Sequence, residues 1–240
     1  MFRIFVALVL SLSVHAELID LTHTLSESTL VYPGKTPFSR VICAYYQSGY
    51  RIDDIALCTG VGTHMDAPNH FCLEGEGIEA VALERCVGSA CVIHLSDKVQ
   101  DQIDYGITSA DIEHWESVHG RIPAHAIVLF HTGWDRYWGT ERFCEPDENN
   151  LCHFPGIAED GAKALVERAV SAVGIDTMGI DVGVDHSFIA HHILLGSGIP
   201  LVENLARLGE LPATGLSVAL LPMKIKDAPE APVRAVAIIE

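Results

Sequence analysis

The segment GTHMDAPNHF, residues 62–71, places three potential metal ligands close together in the chain: His64, Asp66 and His70. Residues two apart in extended backbone point to the same side, so His64 and Asp66 can bind one ion. Pro68 stiffens the turn that follows and helps to fix the return of His70. Because imidazole with carboxylate suits zinc, manganese or iron, the segment predicts a metal site. The alternative is a histidine-rich turn whose polar groups are satisfied by hydrogen bonds.

A second segment reads AHHILLG and is followed, after a turn, by LVENL; the two contain His191 and Glu203. A glutamate in an otherwise apolar stretch is costly to bury unless it is paired or bound to a metal. A helix carrying His191 and a following strand carrying Glu203 could therefore converge on one site. Only one of two adjacent histidines can easily face an ion, so His192 is interpreted as a packing residue or a support behind the ligands. The run DVGVDHS contains a polar group, Asp181, Asp185 and His186, that either supports a ligand from behind or caps the next helix, with the cap preferred.

Short apolar runs rich in Val and Ile alternate with polar breaks along the rest of the chain. They predict seven strands, at residues 18–21, 55–58, 90–94, 126–131, 172–176, 216–221 and 233–239. Helices are predicted after Thr108, where Asp111 completes a capping box, over 159–170 and over 188–195. This pattern predicts an α/β fold with a strand-rich core and helices packed on it, and the length fits one large domain or at most two small ones. The segment with the three ligands then begins where a strand gives way to a loop.

The composition restricts the kind of partner. Apolar residues make up 49% of the 240, enough to bury a core, which excludes a disordered chain. With 32 acidic against 15 basic residues, the formal net charge is -17. A surface this acidic repels phosphate backbones and anionic membranes, so we expect no nucleic acid and no membrane as partner. A small-molecule substrate is the expected ligand.

The first sixteen residues, MFRIFVALVLSLSVHA, have the layout of a secretory signal peptide. Arg3 precedes an apolar run too short to span a bilayer, and small residues precede a cleavage site after Ala16. We therefore expect a signal peptide at 1–16 and a secreted or periplasmic protein; an uncleaved anchor or a core strand is the alternative. Export makes disulfides possible, and Cys144 and Cys152 flank the polar loop EPDENNL, which a bridge could close. The alternative is that most of the seven cysteines are small buried hydrophobes.

The run GVGTHMDAPNH, residues 60–70, resembles the signature H-x-G-T-H-x-D-x-P-x-H of the cyclase family of metal-dependent hydrolases, which includes bacterial kynurenine formamidase and isatin hydrolase. Similar stretches follow the family's order over nearly all of residues 17–240. They are DLTHTL (20–25), VYPG (31–34), TGW (132–134), FPG (154–156), GIDT (174–177), the His191 and Glu203 pair, and LPMK (221–224). The resemblance implies a single compact α/β domain of swivelling β/β/α type over residues 17–240, with a mixed sheet core, that forms a homo-oligomer.

The resemblance also implies a divalent metal, zinc or manganese. Its ligands would be His64 and Asp66 for a first ion, and Asp66, His191 and Glu203 for a second, with Asp66 and Glu203 bridging. One position departs from the signature, because its first histidine is Gly60 here. A single ion could remain on the other ligands, another donor could move in, with Cys58 the nearest, or the site could be degraded. We therefore expect one ion rather than two.

The implied activity is hydrolysis of a small amide, lactam or ester, of the arylformamidase or isatin hydrolase type. A metal-activated water would attack the carbonyl, and His70 would be the catalytic acid/base residue. Tyr32 matches a position that lines the substrate pocket, where it could stack on an aromatic substrate. The competing interpretation is a secreted binding or interaction protein built on an inactive hydrolase scaffold, which the glycine at position 60 supports.

Overall fold

Twelve strands and five α-helices make up the described part of the chain. The computed structural model describes residues 16–144, 146–149 and 151–239, so the predicted signal peptide lies outside the described residues except for its last position. The strands are β1 (Glu17–Asp20), β2 (Ser39–Ala44), β3 (Ile52–Ala56), β4 (His64–Asp66), β5 (Val87–His94), β6 (Gly106–Ile107), β7 (Ile127–His131), β8 (Gly156–Ile157), β9 (Ala172–Ile175), β10 (Leu201–Glu203), β11 (Leu216–Pro222) and β12 (Glu230–Ile239). The helices are α1 (Leu83–Cys86), α2 (Ser96–Val99), α3 (Ser109–His119), α4 (Glu159–Glu167) and α5 (Ile189–Gly196). Within these residues, no helix is both long and apolar enough to span a bilayer.

Eight strands form one mixed sheet that closes into a barrel. The strand order is β1-β12-β11-β5-β7-β9-β10-β4, and β4 also pairs with β12. The run β5-β7-β9-β10 is parallel, whereas β11, β12, β4 and β1 join by antiparallel pairs. Parallel strands covered on both faces are continuously apolar, as IVLFH in β7 and AVGI in β9 are. The predicted α/β domain with a mixed sheet core is confirmed.

The core has two parts, one on each face of the barrel wall. Along β7, Val128 and Phe130 face an outer cluster shared with α3, α4 and α5. Ile127 and Leu129 point the opposite way, into an inner cluster to which strands from around the barrel contribute. This alternation follows from the two-residue period of a strand. The wall is therefore rigid on both sides, which suits it to hold side chains at fixed positions.

Two local predictions differ from the structure. The segment with His64 and Asp66 is not a loop but β4, paired on both sides within the barrel. Three residues, all buried, are too few to display a strand's alternation, so this prediction was wrong. Helix α4 ends at Glu167 rather than 170, because Ala169 adopts a positive φ of 51° that a helix does not tolerate. The capping box of Thr108 and Asp111 is confirmed at the start of α3.

Cys144 and Cys152 face each other at the wall of an aromatic cluster. Both are buried beside Trp134 and Phe143, and their Sγ atoms lie 3.4 Å apart. Oxidation is expected to join them, because a small movement brings the two atoms to bonding distance. Closing so short a loop should stabilise the fold by about 2–3 kcal/mol. Thermal unfolding with and without reductant, together with intact mass, measures this. The double variant Cys144→Ala/Cys152→Ala should show no difference in melting temperature between oxidising and reducing conditions. The control Cys43→Ser, at an exposed cysteine, should keep that difference. If the oxidised and reduced wild type melt at the same temperature, the prediction is wrong.

Candidate metal centre

Four predicted ligands from three elements meet at one point in the structure. Strand β4 supplies His64 and Asp66, helix α5 supplies His191, and β10 supplies Glu203. In the β4–β10 pair Glu203 lies directly opposite His64, so both side chains project from the same face. All four side chains are buried. Residues distant in sequence therefore form one compact cluster of two imidazoles and two carboxylates.

The distances within the cluster match those between ligands of one ion. His64 Nε2 lies 3.3 Å from Asp66 Oδ1 and 3.4 Å from Glu203 Oε2. His191 Nε2 lies 3.4 Å from Asp66 Oδ2 and 3.2 Å from Glu203 Oε1. Two ligand atoms at about 2.1 Å from one ion, at angles of about 90–110°, are about 3.0–3.4 Å apart. Neighbouring donor atoms of the four side chains thus have the spacing found between ligands of one ion.

The orientation of both imidazoles is set by hydrogen bonds at Nδ1. His64 Nδ1 lies 2.8 Å from the carbonyl oxygen of Gly62, and His191 Nδ1 pairs with Asp181. An N–H that donates at Nδ1 leaves the lone pair at Nε2, which is the atom that faces the carboxylates. Lone pairs facing lone pairs at these distances repel, unless a proton or a cation lies between them.

The electrostatics of the cluster favour a cation. Burial alone would lower the pKa of His64, but its closeness to the carboxylates of Asp66 and Glu203 raises that pKa to about 10. Burial, followed by the nearby charge of Asp66, raises the pKa of Glu203. Both carboxylate oxygens of Asp66 are buried without a hydrogen-bond partner among the described residues. Such acceptors are costly to leave unsatisfied. The residues present fit a divalent ion, which would offset the negative charge and satisfy Asp66.

A cavity of about 270 Å³ opens above the cluster. His70, on the turn Pro68–His70, lines it with a side chain that is 23% exposed. Tyr32 lines the cavity as well, together with three aromatic residues that the sequence analysis did not select: Phe71, Phe154 and Phe188. Phe71 stacks on the His191 ring at 4.6 Å between centroids. Because these aromatic side chains come from distant segments, no local pattern could have grouped them.

Two acidic residues have a larger part than the sequence indicated. Within the polar group of DVGVDHS, Asp181 both caps the next helix and supports a ligand. One of its oxygens accepts from the Ala190 amide at 2.6 Å, at the start of α5, and the other pairs with His191. Glu230, which the sequence analysis did not select, lies beside Gly60 at the cavity edge. The structure therefore places Glu230, rather than Cys58, in the space left by the missing histidine.

An α/β barrel with imidazoles and carboxylates buried at the floor of a cavity defines a metal-dependent hydrolase. The chain belongs to the cyclase family of these enzymes: the family model described as "Putative cyclase" matches residues 19–182. The resemblance seen in the sequence is thereby confirmed. Membership of this family makes the protein a hydrolase of carbon–nitrogen bonds other than peptide bonds.

Similar proteins and a similar solved structure support the assignment to this family. Isatin hydrolase of Roseibium aggregatum is 30% identical over 74% of this chain and 71% of its own length. Kynurenine formamidase of Geobacillus thermodenitrificans is 33% identical over 90% of this chain and 95% of its own. The crystal structure of an isatin hydrolase bound to the product analogue thioisatinate superimposes with a TM-score of 0.89 at 26% identity, covering 93% of this chain and 92% of that one.

Replacing Asp181 by asparagine is expected to weaken metal binding by about 10–100-fold, the usual effect of removing a partner that orients a histidine ligand. The amide cannot accept both from the backbone of α5 and from His191 Nδ1. Competition with a chelator measures the dissociation constant. Asp185→Asn is the matched control, because Asp185 lies in the same loop and, among the residues that the structure describes, accepts only from the Ser187 amide. Equal affinities for the two variants contradict the prediction.

Proposed function

We propose that the protein hydrolyses a small amide, lactam or ester of an aromatic substrate, as an arylformamidase or isatin hydrolase does. The observation that carries the proposal is the ring of four side chains, whose neighbouring donor atoms are 3.2–3.4 Å apart, beneath an aromatic-lined cavity. The relatives named isatin hydrolase and kynurenine formamidase support this substrate class. We further propose zinc or manganese as the ion, held by His64, Asp66, His191 and Glu203.

Each side chain has a distinct task in such a reaction. A divalent ion on these ligands would lower the pKa of bound water from about 15.7 towards about 7 and polarise a carbonyl group. His70 stands outside the ring of four and reaches into the cavity, so it can accept the proton of the attacking water at Nε2. The same imidazolium then donates that proton to the leaving nitrogen or oxygen. Tyr32 and Phe71 offer apolar faces against which an aryl group can stack.

The deciding experiment is an assay of the purified chain, residues 17–240, on aryl formamides and on isatin. Metal content is measured first, and turnover is measured with and without a chelator and after adding back zinc or manganese. Metal-dependent turnover on either substrate is the expected result. Folded protein that holds no metal and turns over neither substrate contradicts the proposal and favours the binding-protein alternative.

We propose that the chain is exported and that residues 1–16 are removed. The layout of that segment supports this, together with the buried, adjacent pair Cys144 and Cys152, which an oxidising compartment would join. Amino-terminal sequencing of the protein recovered outside the cell is expected to begin at Glu17. Recovery of the full-length chain inside the cell contradicts export.

We propose a homo-oligomer that buries the hairpin of β2 and β3. This hairpin pairs with itself in a two-stranded sheet separate from the barrel. It and its connecting segment expose apolar side chains: Val41, Ile42, Tyr45, Tyr46, Tyr50, Ile52 and Ile55. Contiguous exposed apolar groups mark association surfaces. Light scattering should find that the wild type is a dimer or a larger oligomer. Ile42→Glu should dissociate it, whereas the control Leu73→Glu, at an exposed site elsewhere, should not. A monomeric wild type contradicts the proposal.

A further inference from the structure

Glu230 fills the space that a side chain at position 60 would occupy. A Cβ atom on Gly60 would lie 2.9 Å from the Cδ of Glu230, 3.2 Å from its Oε2 and closer still to its Oε1. Atoms that are not bonded to each other do not pack at such distances, so a side chain at 60 and this placement of Glu230 exclude each other. In the space where the family signature has a histidine side chain, this chain has the carboxylate of Glu230, which comes from strand β12.

The pairing of β12 with β4 brings Glu230 to the metal centre. Glu230 lies directly opposite Asp66 in this antiparallel pair, and Pro232 lies opposite His64. Residues directly opposite each other have Cβ atoms about 4.5–5.5 Å apart and project from the same face. Because Asp66 points into the ligand cluster, the Glu230 side chain projects from the side of the wall that carries the cluster.

The Glu230 carboxylate is anchored by one oxygen and leaves the other free for a ligand. Thr59 Oγ1 donates to Oε2 at 2.9 Å. Oε1 lies 3.7 Å from His70 Nε2, and the side chain is only 12% exposed. One ligand atom each from His64, Asp66 and Glu230 can be chosen so that all lie within 4.8 Å of one another. This span is close to the diameter of a coordination sphere, about 4.2 Å for ligands at 2.1 Å.

The charge around Glu230 lacks compensation. Among the residues that the structure describes, only His70 places a titratable nitrogen within 4 Å of this carboxylate. Asp66, fully buried, lies opposite it in the strand pair. Two carboxylates so close, both shielded from water, repel each other unless a cation lies between them. A divalent ion bound to both would remove that repulsion.

We propose that Glu230 replaces the missing histidine as a metal ligand, so that His64, Asp66 and Glu230 complete the donor set on the side of Gly60. This inference rests on the proposed metal-dependent function. It has a consequence for metal choice, because a carboxylate takes the place of an imidazole. Two imidazoles with three carboxylates favour manganese over zinc more than a histidine-rich set does, since oxygen donors suit manganese.

The test measures metal binding by purified variants, with activity as a separate readout. Dissociation constants and stoichiometries for manganese and zinc are determined by competition with a chelator and by the Mn(II) electron paramagnetic resonance signal. Glu230→Gln keeps the size of the side chain and the bond to Thr59 but loses the charge. We expect it to weaken manganese binding by about 100-fold, at the upper end of the loss seen when only an orienting partner is removed. Glu74→Gln, exposed in the loop after His70, is the matched control and should bind as the wild type does.

A swap of the two positions tests the idea independently. Gly60→His should displace the Glu230 carboxylate and so weaken manganese binding, because a Cβ at position 60 collides with the end of that side chain. Adding Glu230→Ala makes room, so the double variant should bind metal again and shift its preference towards zinc. If the Gly60→His variant does not fold, the double variant and Glu230→Gln still decide the matter.

The outcomes separate this inference from the proposed function. If wild type binds metal and Glu230→Gln binds it equally tightly, Glu230 is no ligand, while the metal-dependent function stands. If only the pH profile of turnover changes in Glu230→Gln, the residue orients His70 and the inference is overturned. A wild type that binds no metal overturns the metal centre and this inference with it.

Discussion

Replacing Asp66 by asparagine is expected to remove the bound metal and to lower kcat/KM by about 10³-fold or more, because the activated water is lost with the ion. Asp66, like Glu203, faces both imidazoles, with Oδ1 3.3 Å from His64 and Oδ2 3.4 Å from His191. An amide offers one neutral oxygen and directs N–H groups at the second position, where a cation would have to bind. Metal analysis and initial rates on isatin or an aryl formamide measure both effects.

The control for this variant is Asp53→Asn. Asp53 lies on β3, in the two-stranded sheet separate from the barrel, and pairs with Arg51 at the surface. It should keep full metal content and activity. Thermal unfolding of both variants separates loss of the ion from loss of the fold. An Asp66→Asn protein that retains its metal and more than about a tenth of wild-type kcat/KM, a change under 1.4 kcal/mol, would falsify the assignment of Asp66 as the shared ligand.

The second large effect is expected for His70→Gln, which should lower kcat by about 10²–10⁴-fold, the usual contribution of a general acid/base. Glutamine fills similar space and can hydrogen-bond, but it cannot carry a proton between water and leaving group. Bound metal should stay at the wild-type level, because His70 stands outside the ring formed by His64, Asp66, His191 and Glu203.

Metal content is the decisive readout for His70. Its ring nitrogen could also join Asp66 and His191 around an ion, since one ligand atom from each lies within 4.8 Å of the others. A His70→Gln protein that loses its metal along with its activity would show that His70 is a ligand rather than the acid/base. His192→Gln is the matched control, because His192 is exposed on α5 and contacts the edge of Phe71. It should behave as the wild type does.

Much of the barrel could be predicted because its central strands are locally distinctive. The runs around Val128 in β7 and Val173 in β9 are short, apolar and rich in β-branched residues, which few other structures accommodate. Strand β4 could not be predicted in the same way. It has three residues, and its pairing with β10 and β12 depends on partners far away in the chain.

In the candidate site, too, some residues could be predicted from the sequence and others could not. The sequence pointed to His64 and Asp66 through their spacing and to Glu203 through its apolar surroundings, and the resemblance to the cyclase family joined them with His191 into one ligand set. It did not predict Glu230. In the sequence this residue is one more acidic position before an apolar strand, of the kind that usually lies at the surface.

The amino-acid sequence by itself determined the chemistry of this protein: the types of donor, the cyclase signature and the loss of one imidazole at Gly60. Only the tertiary structure decided which groups meet. It closed the barrel through β4 and β12 and thereby placed Glu230 beside Thr59, 171 positions away in the chain. The physical reason is that side-chain identity is local, whereas strand register is set by the packing of the whole barrel. What replaces the missing side chain is therefore visible only in three dimensions.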